Sequence, residues 1–270
     1  MKTSYLTRIR EQNPLIHNIT NLVSANFSAN GLLAIGASPM MADCSLEVAE
    51  LAQVSQALVL NLGVTSPESI EAMLRAGKAA NAMNVPVVLD PIAAGVTQHR
   101  IHIIQQLLTE IQMSAIRGNA GEMAYLAGVA WQSKGVDAGS GSANLADIVK
   151  KVAQKYNCVA ILSGEHDFLA DPTGKVWRLS NGTPLFPKVT ASGCLLSAVV
   201  GAFLAVAEKE NALTACVEAC ATYAVAGELA AQDLLPTQYG SFMIRFLDAL
   251  AAISPEDVLA RRVLVEDKGN

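Results

Sequence analysis

Short apolar runs alternate along the chain with longer segments whose apolar positions recur at helical spacing. Three of the runs, QALVLNLG (56–63), VPVVLDP (85–91) and CVAILSG (158–164), are almost continuously apolar. Continuous runs are typical of strands that are covered on both faces. Strands that alternate with helices predict an α/β fold: a doubly wound, mainly parallel central sheet with helices on both faces.

The same pattern predicts the remaining elements. Further strands are expected at 14–20, 37–42 and 114–119, and a hairpin over 167–181 with its turn at DPTGK. Helices are expected at 21–35, 45–54, 67–83, 98–111, 120–128, 145–156, 193–208, 213–232 and 242–253. Since no low-complexity linker or internal repeat divides the chain, we expect one domain over residues 1–270. The Gly/Ser-rich stretch Lys134–Ala143 is either a mobile flap or a plain surface connection.

Composition narrows the possible partners and the compartment. The net charge of −5 and the lack of a basic tract with interleaved aromatics argue against nucleic acid and anionic membranes as partners. The N-terminal stretch has no apolar signal core, and the longest apolar runs, such as Ala198–Ala207, are judged too short to span a bilayer. An odd number of scattered cysteines, five, favours reduced thiols and a cytoplasmic protein.

Cysteine and histidine spacing gives little support for a structural metal site. Cys216 and Cys220 lie four residues apart on a predicted helix, but no second pair of ligands is found nearby. No two histidines have the spacing of a zinc-binding helix. We therefore interpret the two cysteines as buried packing residues.

Polar residues stand where the predicted strands end, and parallel sheets bind ligands beyond the carboxyl ends of their strands. These residues are Asn21, Asn61, Gly63, Asp90, Arg117, Asn119, Glu122, Ser163, Gly164 and Glu165. Several have a simpler interpretation: Asn119 and Glu122 have the spacing of a helix capping box, Asn21 suits a helix N-cap, and Asp90-Pro91 suits a turn. Together they would line one edge of one sheet.

The stretch VTASGCLLSAVVG (189–201) passes from β-branched residues through small ones into an apolar helix, with Cys194 at the turn. A helix N-terminus attracts anions and lowers the pKa of a thiol, so residues 191–194 could cradle a phosphate, hold a nucleophile or only pack a tight corner. Arg117 could bind phosphate, and Asp90 with Glu122 could hold Mg²⁺. This set suits phosphoryl transfer without a P-loop, whose motif is absent.

Motifs spread over nearly the whole chain resemble those of the hydroxyethylthiazole kinase family, in the ribokinase-like superfamily. They are PLIHNITN (14–21), NFSANGLLAIGASPMMA (26–42), LVLNLG (58–63), VVLDPIAAG (87–95), AIRGNAGE (115–122), KGVD (134–137), LSGEHD (162–167) and VTASGCLLSAVVGAF (189–203). The order and spacing of so many segments make the resemblance specific.

The resemblance implies ATP-dependent phosphorylation of the primary alcohol of 4-methyl-5-(2-hydroxyethyl)thiazole, with Mg²⁺, in thiamine biosynthesis or salvage. It also implies a homotrimer with active sites at subunit boundaries. Together with the strand-end pattern it gives the expected site. The substrate would contact Met41, Asn21, Gly63 and Ala191; ATP would contact Arg117, Ser163, Asn119, Gly164 and Gly193; the metal would be held by Asp90 and Glu122; and Cys194 would be catalytic.

Cys194 occupies the position at which the superfamily usually has a catalytic aspartate, and Ala191 replaces a glycine, whose loss disfavours positive φ. We expect the helix N-terminus to favour the thiolate and a nearby phosphate to oppose it, so that Cys194 orients the hydroxyl and accepts its proton late. Alternative functions are a hydroxymethylpyrimidine or pyridoxal kinase, an inactive sensor of thiazole or nucleotide, and a cysteine hydrolase.

Overall fold

The computed structural model describes residues 4–134, 137–140 and 144–267. Among these, the strands are β1 Leu15–Ile19, β2 Ser38–Met40, β3 Ala57–Asn61, β4 Val87–Asp90, β5 Ala115–Asn119, β6 Gln132–Lys134, β7 Asp137–Ser140, β8 Val159–Ser163, β9 Asp167–Ala170, β10 Val176–Leu179 and β11 Leu264–Asp267. The helices are α1 Tyr5–Gln12, α2 Leu22–Ile35, α3 Val48–Val54, α4 Pro67–Ala82, α5 Gln98–Glu110, α6 Ala120–Ala127, α7 Leu145–Tyr156, α8 Ser192–Ala205, α9 Ala212–Ala231, α10 Tyr239–Ala252 and α11 Pro255–Arg261.

Nine of these strands form one sheet in the order β11-β10-β9-β8-β5-β4-β3-β1-β2. The segment from β8 to β2 is parallel, whereas β9, β10 and β11 extend it antiparallel. β6 and β7 pair with each other outside this sheet. The predicted mainly parallel α/β fold is therefore confirmed, and its parallel part directs the carboxyl ends of six strands to one edge.

Both faces of the central strands are covered, which explains their continuous apolar sequences. Along β3, Val59 packs into a core cluster with residues of α2 and α8, while Leu58 and Leu60 pack into a second cluster with residues of α4 and α5. Since successive side chains of a strand point to opposite faces, neither face of β3 can be polar. The predicted helices on both faces are confirmed.

All strands and helices predicted from the pattern are present, with ends that agree within three residues. The hairpin has its turn where Asp171 Oδ1 accepts the amides of Thr173 and Lys175, at 3.0 and 3.2 Å. Five elements were not predicted: α1, β6, β7, α11 and β11. Each is short, and α11 buries only Val258 among its residues, so its apolar pattern is weak.

α9 corrects the expectation that no segment is long and apolar enough to cross a membrane. Residues 209–231, which include α9, meet that criterion by length and composition. In this structure 67% of the most apolar stretch is buried inside the protein, where α9 packs against α8 and α10. Cys216 and Cys220 are buried on this helix, which confirms their interpretation as packing residues.

The two interpretations of Lys134–Ala143 both remain open. β6 ends at Lys134, and β7 covers 137–140. Residues 135–136 and 141–143 lie outside the described residues.

The close approach of α8 to the sheet predicts the effect of adding one methyl group. A Cβ at Gly201 would lie 2.8 Å from Val59 Cγ2, so Gly201→Ala must push α8 away from β3. Overpacking of this kind costs about 1–3 kcal/mol, against a gain of up to about 1 kcal/mol in helix propensity. We expect urea denaturation to show a net loss of stability. Gly240→Ala in α10, where a Cβ would meet nothing within 4 Å, is the matched control and should not destabilise the protein. A Gly201→Ala protein as stable as the wild type would contradict this packing.

Candidate active site

Asp90 lies at the centre of the polar residues that the strands bring to one edge of the sheet. It ends β4 and is fully buried. Its Oδ2 accepts hydrogen bonds from Asn61 Nδ2 at 3.0 Å and Ser197 Oγ at 2.9 Å, whereas Oδ1 is buried without a hydrogen-bond partner. Burial raises the pKa of this carboxyl group, and Arg117, Ser197 and Asn61 oppose that shift. The site thus holds a carboxylate oxygen that no described protein group satisfies.

Asn61 links Asp90 to the start of α2. Its Oδ1 accepts Asn21 Nδ2 at 2.9 Å and the Gly63 amide at 3.0 Å. Asn21 is also the N-cap of α2, because its Oδ1 accepts the Ser24 amide at 3.0 Å. A Cβ at residue 63 would lie 2.3 Å from Asn21 Nδ2, so only glycine fits there without displacing Asn21. The N-cap prediction for Asn21 is confirmed. The same side chain also contacts the site through its hydrogen bond to Asn61.

Arg117, on β5, joins Asp90 to β8. Its Nη1 lies 3.9 Å from Asp90 Oδ2, its Nη2 donates to Ser163 Oγ, and its Nε is buried without a hydrogen-bond partner. Burial opposes the guanidinium charge, but the carboxyl groups of Asp90 and Glu122 outweigh it and raise the pKa of Arg117. A Cβ at Gly193 would lie 2.7 Å from Nη1, so the start of α8 is packed directly on this cation.

Glu122 forms the capping box that its spacing from Asn119 predicts. Glu122 Oε2 accepts the Asn119 amide at 2.8 Å, and Asn119 Oδ1 accepts the Glu122 amide at 3.0 Å. Oε1 accepts the Ala93 amide from the loop after β4, at 2.9 Å. Burial, assisted by the charge of Asp90, raises the pKa of Glu122 to about 7. The capping-box interpretation of Glu122 is therefore confirmed, and its role as a metal ligand stays a prediction.

The start of α8 has the form of an anion cradle. Ala191 precedes the helix with φ 68°, in the left-handed region, and no side chain caps the first amides. This conformation costs a residue with a Cβ about 1–2 kcal/mol, and Ala191 adopts it despite the expectation from its side chain. The Ser192 carbonyl accepts Tyr223 Oη at 2.5 Å, and Ser192 Oγ donates to the Phe186 carbonyl at 2.8 Å. The Ser192 amide donates to the Val189 carbonyl at 3.3 Å, and the next amides of this first turn are the ones that a helix start offers to an anion.

Cys194 is half-buried on the first turn of α8, with its Sγ 4.0 Å from Asn21 Nδ2. Burial, and secondarily the charge of Asp90, raises the pKa of the Cys194 thiol. The net shift is therefore toward the neutral thiol, although a helix N-terminus by itself favours the thiolate. The desolvated site, with a carboxylate nearby, outweighs the helix dipole, and the thiol is neutral near pH 7.

The residues described so far form a row along the carboxyl edge of the sheet, and the remaining predicted residues lie at its two ends. Met41 is half-buried and follows β2 directly, beside the end of β1. Gly164 follows β8, and its amide donates to Asp167 Oδ1 at 3.0 Å. Burial raises the pKa of Asp167 to about 6. The row thus extends from β2 to β8 along the carboxyl edge of the parallel strands.

Three residues of the site have no counterpart in the sequence-based prediction: Ser197, Tyr223 and Asp167. Ser197 could have been found, since it lies three residues after Cys194 and four after Gly193, on the same face of α8. Tyr223 reaches the site through a contact from α9 that no local pattern signals, whereas Asp167 accepts the Gly164 amide three residues earlier and lies in the quoted LSGEHD segment. Asn61 was singled out at a strand end but given no role, and it is the residue that connects Asp90 to Asn21.

A metal at this site would need ligands besides protein side chains. Within the described part of the chain, no group of three or more His, Cys, Asp or Glu side chains is arranged to hold a metal. Mg²⁺ commonly takes one or two carboxylates and completes its shell with water and substrate phosphates. The unpartnered Asp90 Oδ1 fits that donor set, and the Glu122 carboxyl group, once ionised, would supply the second carboxylate.

A cavity of about 790 Å³ opens elsewhere, between α1, α9 and α11. Tyr5, Glu218 and Val258 are among its lining residues, and none of the predicted site residues lines it. The row at the carboxyl edge of the sheet, rather than this cavity, collects the phosphate-binding chemistry.

The chain is similar to known proteins of one family. A sequence model of the hydroxyethylthiazole kinase family matches residues 6–256. The chain is 64% identical over 252 residues to hydroxyethylthiazole kinase from Glaesserella parasuis serovar 5 (strain SH0165), with 93% of each chain covered. A hydroxyethylthiazole kinase protein from Pyrococcus horikoshii OT3 superposes with a TM-score of 0.86 at 31% identity, covering 98% of both chains. A ribokinase-like superfamily protein from Enterococcus faecalis V583, at 11% identity and a TM-score of 0.62, shares the fold.

The raised pKa of Cys194 predicts slow alkylation with a distinct pH dependence. Because only the thiolate reacts, the rate of iodoacetamide labelling at Cys194 should rise about tenfold per pH unit from pH 7 to 9 without a plateau. Peptide mass spectrometry separates this signal from the exposed Cys44, and a Cys194→Ser protein identifies it. A plateau below pH 8 would show a stabilised thiolate and contradict the neutral thiol.

Proposed function

This chain belongs to the hydroxyethylthiazole kinase family, and we propose that the row of residues from Met41 to Gly164 is its active site. The protein is an ATP-using kinase with a small-molecule substrate. It transfers the terminal phosphoryl group of ATP to the primary alcohol of 4-methyl-5-(2-hydroxyethyl)thiazole, a reaction of thiamine biosynthesis or salvage. The observation that carries the placement of this reaction is the buried Asp90–Arg117 pair under the uncapped start of α8, in which each partner keeps one polar atom unsatisfied.

The nucleotide occupies the side of the row near β5 and β8. Arg117 supports this assignment because its charge is buried next to the N-terminus of α8, where an anion gains from both the guanidinium and the helix. Ser163 orients Arg117, because its Oγ accepts a hydrogen bond from Arg117 Nη2. Asn119, Gly164 and Gly193 flank the same space and complete the proposed ATP contacts.

Asp90 and Glu122 would hold Mg²⁺ together with the ATP phosphates. Bound there, the ion would neutralise phosphate charge during transfer. Asn61 and Ser197 fix Asp90 Oδ2, which leaves Oδ1 for this purpose. Asn119 and Ala93 likewise fix the Glu122 carboxyl group through their amides.

The alcohol occupies the side of the row near β1, β2 and β3. Met41, Asn21, Gly63 and Ala191 would surround this side, and Cys194, whose Sγ lies 4.0 Å from Asn21 Nδ2, is the part of the α8 cradle nearest to it. A neutral thiol can accept a hydrogen bond from the substrate hydroxyl or donate one to it, and so orients it. If the transition state is loose, the hydroxyl needs little deprotonation before the new bond forms, so a weak base suffices.

We also propose that residues 1–270 act as one kinase domain, in a cytoplasmic homotrimer whose active sites lie at subunit boundaries. Exposed apolar side chains support a covering neighbour: Leu22, which follows Asn21 in the chain, is 91% exposed, and Leu46, in the segment after Met41, is 84% exposed. Five free cysteines support a reducing compartment.

An ADP-release assay with four alcohols tests the proposed substrate. With Mg-ATP, we expect turnover to prefer hydroxyethylthiazole over hydroxymethylpyrimidine, pyridoxal and ribose, and to stop when EDTA removes the divalent metal. Preference for another alcohol would keep the kinase and replace the substrate. Absence of ADP with all four would contradict catalysis and favour a binding role.

Substitution of Arg117 tests the placement of the nucleotide. Arg117→Ala should lower kcat/KM for ATP by about 100-fold, because truncating one partner of a buried charge pair costs roughly 2–5 kcal/mol. Cys194→Ser, which keeps a small group able to donate and accept a hydrogen bond, is the matched control and should cost about tenfold or less. Steady-state kinetics on proteins with verified thermal unfolding provide the measurement. Intact turnover in Arg117→Ala would place the nucleotide elsewhere.

A further inference from the structure

His17 is a buried histidine that the site described above does not use. It lies within β1, is fully buried, and stands opposite Met40 of β2 in the parallel register. Its Nε2 lies 2.8 Å from the carbonyl oxygen of Ala42, two residues beyond the end of β2. The side chain therefore connects the sheet to the segment that leaves its edge strand.

This contact determines the tautomer of His17. A backbone carbonyl only accepts hydrogen bonds, so Nε2 carries a proton, and in the neutral ring Nδ1 then carries none. Nδ1 is buried and lacks a hydrogen-bond partner in the described part of the chain. Burial also lowers the pKa of His17, opposed by the Ala42 hydrogen bond and by Glu47. His17 is therefore a neutral imidazole that donates one hydrogen bond, from Nε2 to the Ala42 carbonyl.

The segment that His17 holds, residues 41–47, connects β2 to α3. Residues 41–44 belong to no helix, strand or turn, and Asp43 and Cys44 are exposed. A second contact holds this segment farther along, where Arg75 Nη1 donates to the Ser45 carbonyl at 3.3 Å. Met40, on one side of Met41, is held by its pairing with β1, and the His17 contact holds Ala42 on the other side.

Topology places this first part of the segment at the site. The parallel strands β1, β2 and β3 end at the same edge of the sheet, where Asn21 and Asn61 lie. Met41 is the first residue after β2 at that edge, and its position depends on the backbone at Ala42.

We propose that His17 is a positioning residue for the alcohol substrate, which holds the Ala42 carbonyl through Nε2–H and thereby fixes Met41 at the substrate side of the site. This inference rests on the proposed function, because it takes the β1–β3 side as the alcohol side. It assigns a role in substrate binding to a residue that does not contact the substrate.

Two substitutions separate the hydrogen bond from the volume of the side chain. The amide nitrogen of glutamine can reach the position of Nε2, whereas that of asparagine corresponds to Nδ1 and cannot donate to Ala42. His17→Asn should therefore raise KM for hydroxyethylthiazole at least about tenfold, because one buried hydrogen bond is lost. KM for ATP should stay within about twofold of the wild-type value. His17→Gln should recover most of the affinity for the thiazole.

Arg75→Ala is the matched control, because it removes the other anchor of the same segment, three residues farther from Met41. It should leave both KM values within about twofold, the effect expected of an exposed contact. An unchanged thiazole KM in His17→Asn, or equal impairment in His17→Gln, would overturn the proposal.

Two measurements do not depend on catalysis. Hydrogen exchange of residues 41–47 should be faster in His17→Asn than in the wild type and in His17→Gln. Imidazole ¹⁵N shifts of the wild-type enzyme should show a protonated Nε2 and a bare Nδ1, and the opposite tautomer would overturn the proposal even if the variants do not fold. If the wild type makes no ADP from the thiazole, the proposed function fails, while both measurements still decide whether His17 anchors Ala42.

Discussion

The candidate site depends on one interaction, the buried approach of the Arg117 guanidinium to the Asp90 carboxylate. At 3.9 Å it is a loose ion pair, and both partners keep a buried polar atom without a hydrogen bond. Removing two charges from water costs several kcal/mol per ion, which an imperfect pair recovers only in part. A pair built for stability would close these gaps. This pair instead holds charge ready for a ligand that is itself charged, and such incompletely satisfied groups are typical of functional sites.

The surrounding residues keep that pair in place without neutralising it. Asn61 and Ser197 occupy only one oxygen of Asp90, and Ser163 binds only one nitrogen of Arg117. Glycine at position 193 lets the first turn of α8 lie directly on the guanidinium. The left-handed Ala191 and the Tyr223 hydrogen bond to Ser192 set the direction of that turn. Sheet, helix and charge pair therefore form one preorganised unit, and strain at Ala191 is part of its cost.

The elements of the fold were predictable where burial alone decides the structure. The residues of the site were predictable where the topology of the sheet alone brings them together. Strands such as β3 are covered on both faces, so their apolar runs are unambiguous, and the rule that ligands bind at strand ends brings Asn21, Asp90 and Arg117 together. β11 was missed because LVED gains its place by pairing with β10, more than eighty residues earlier. The net pKa shift of Cys194 could not be predicted for a related reason: a local helix dipole is visible in sequence, whereas desolvation by distant segments is not.

The neutral thiol of Cys194 fits a site whose charged groups are Arg117 and the nearby carboxyl groups. An aspartate at this position would add a second carboxylate close to Asp90, whose charge already contributes to raising the pKa of Cys194. Two like charges in a desolvated site raise each other's pKa. Such an aspartate would therefore be partly protonated by solvent and less able to accept the proton of the substrate. A thiol avoids this repulsion while it keeps a group that can donate or accept at the substrate hydroxyl. Catalysis then rests on Arg117, the α8 amides and the carboxylates that would hold the metal, and the cysteine needs only to orient the nucleophile.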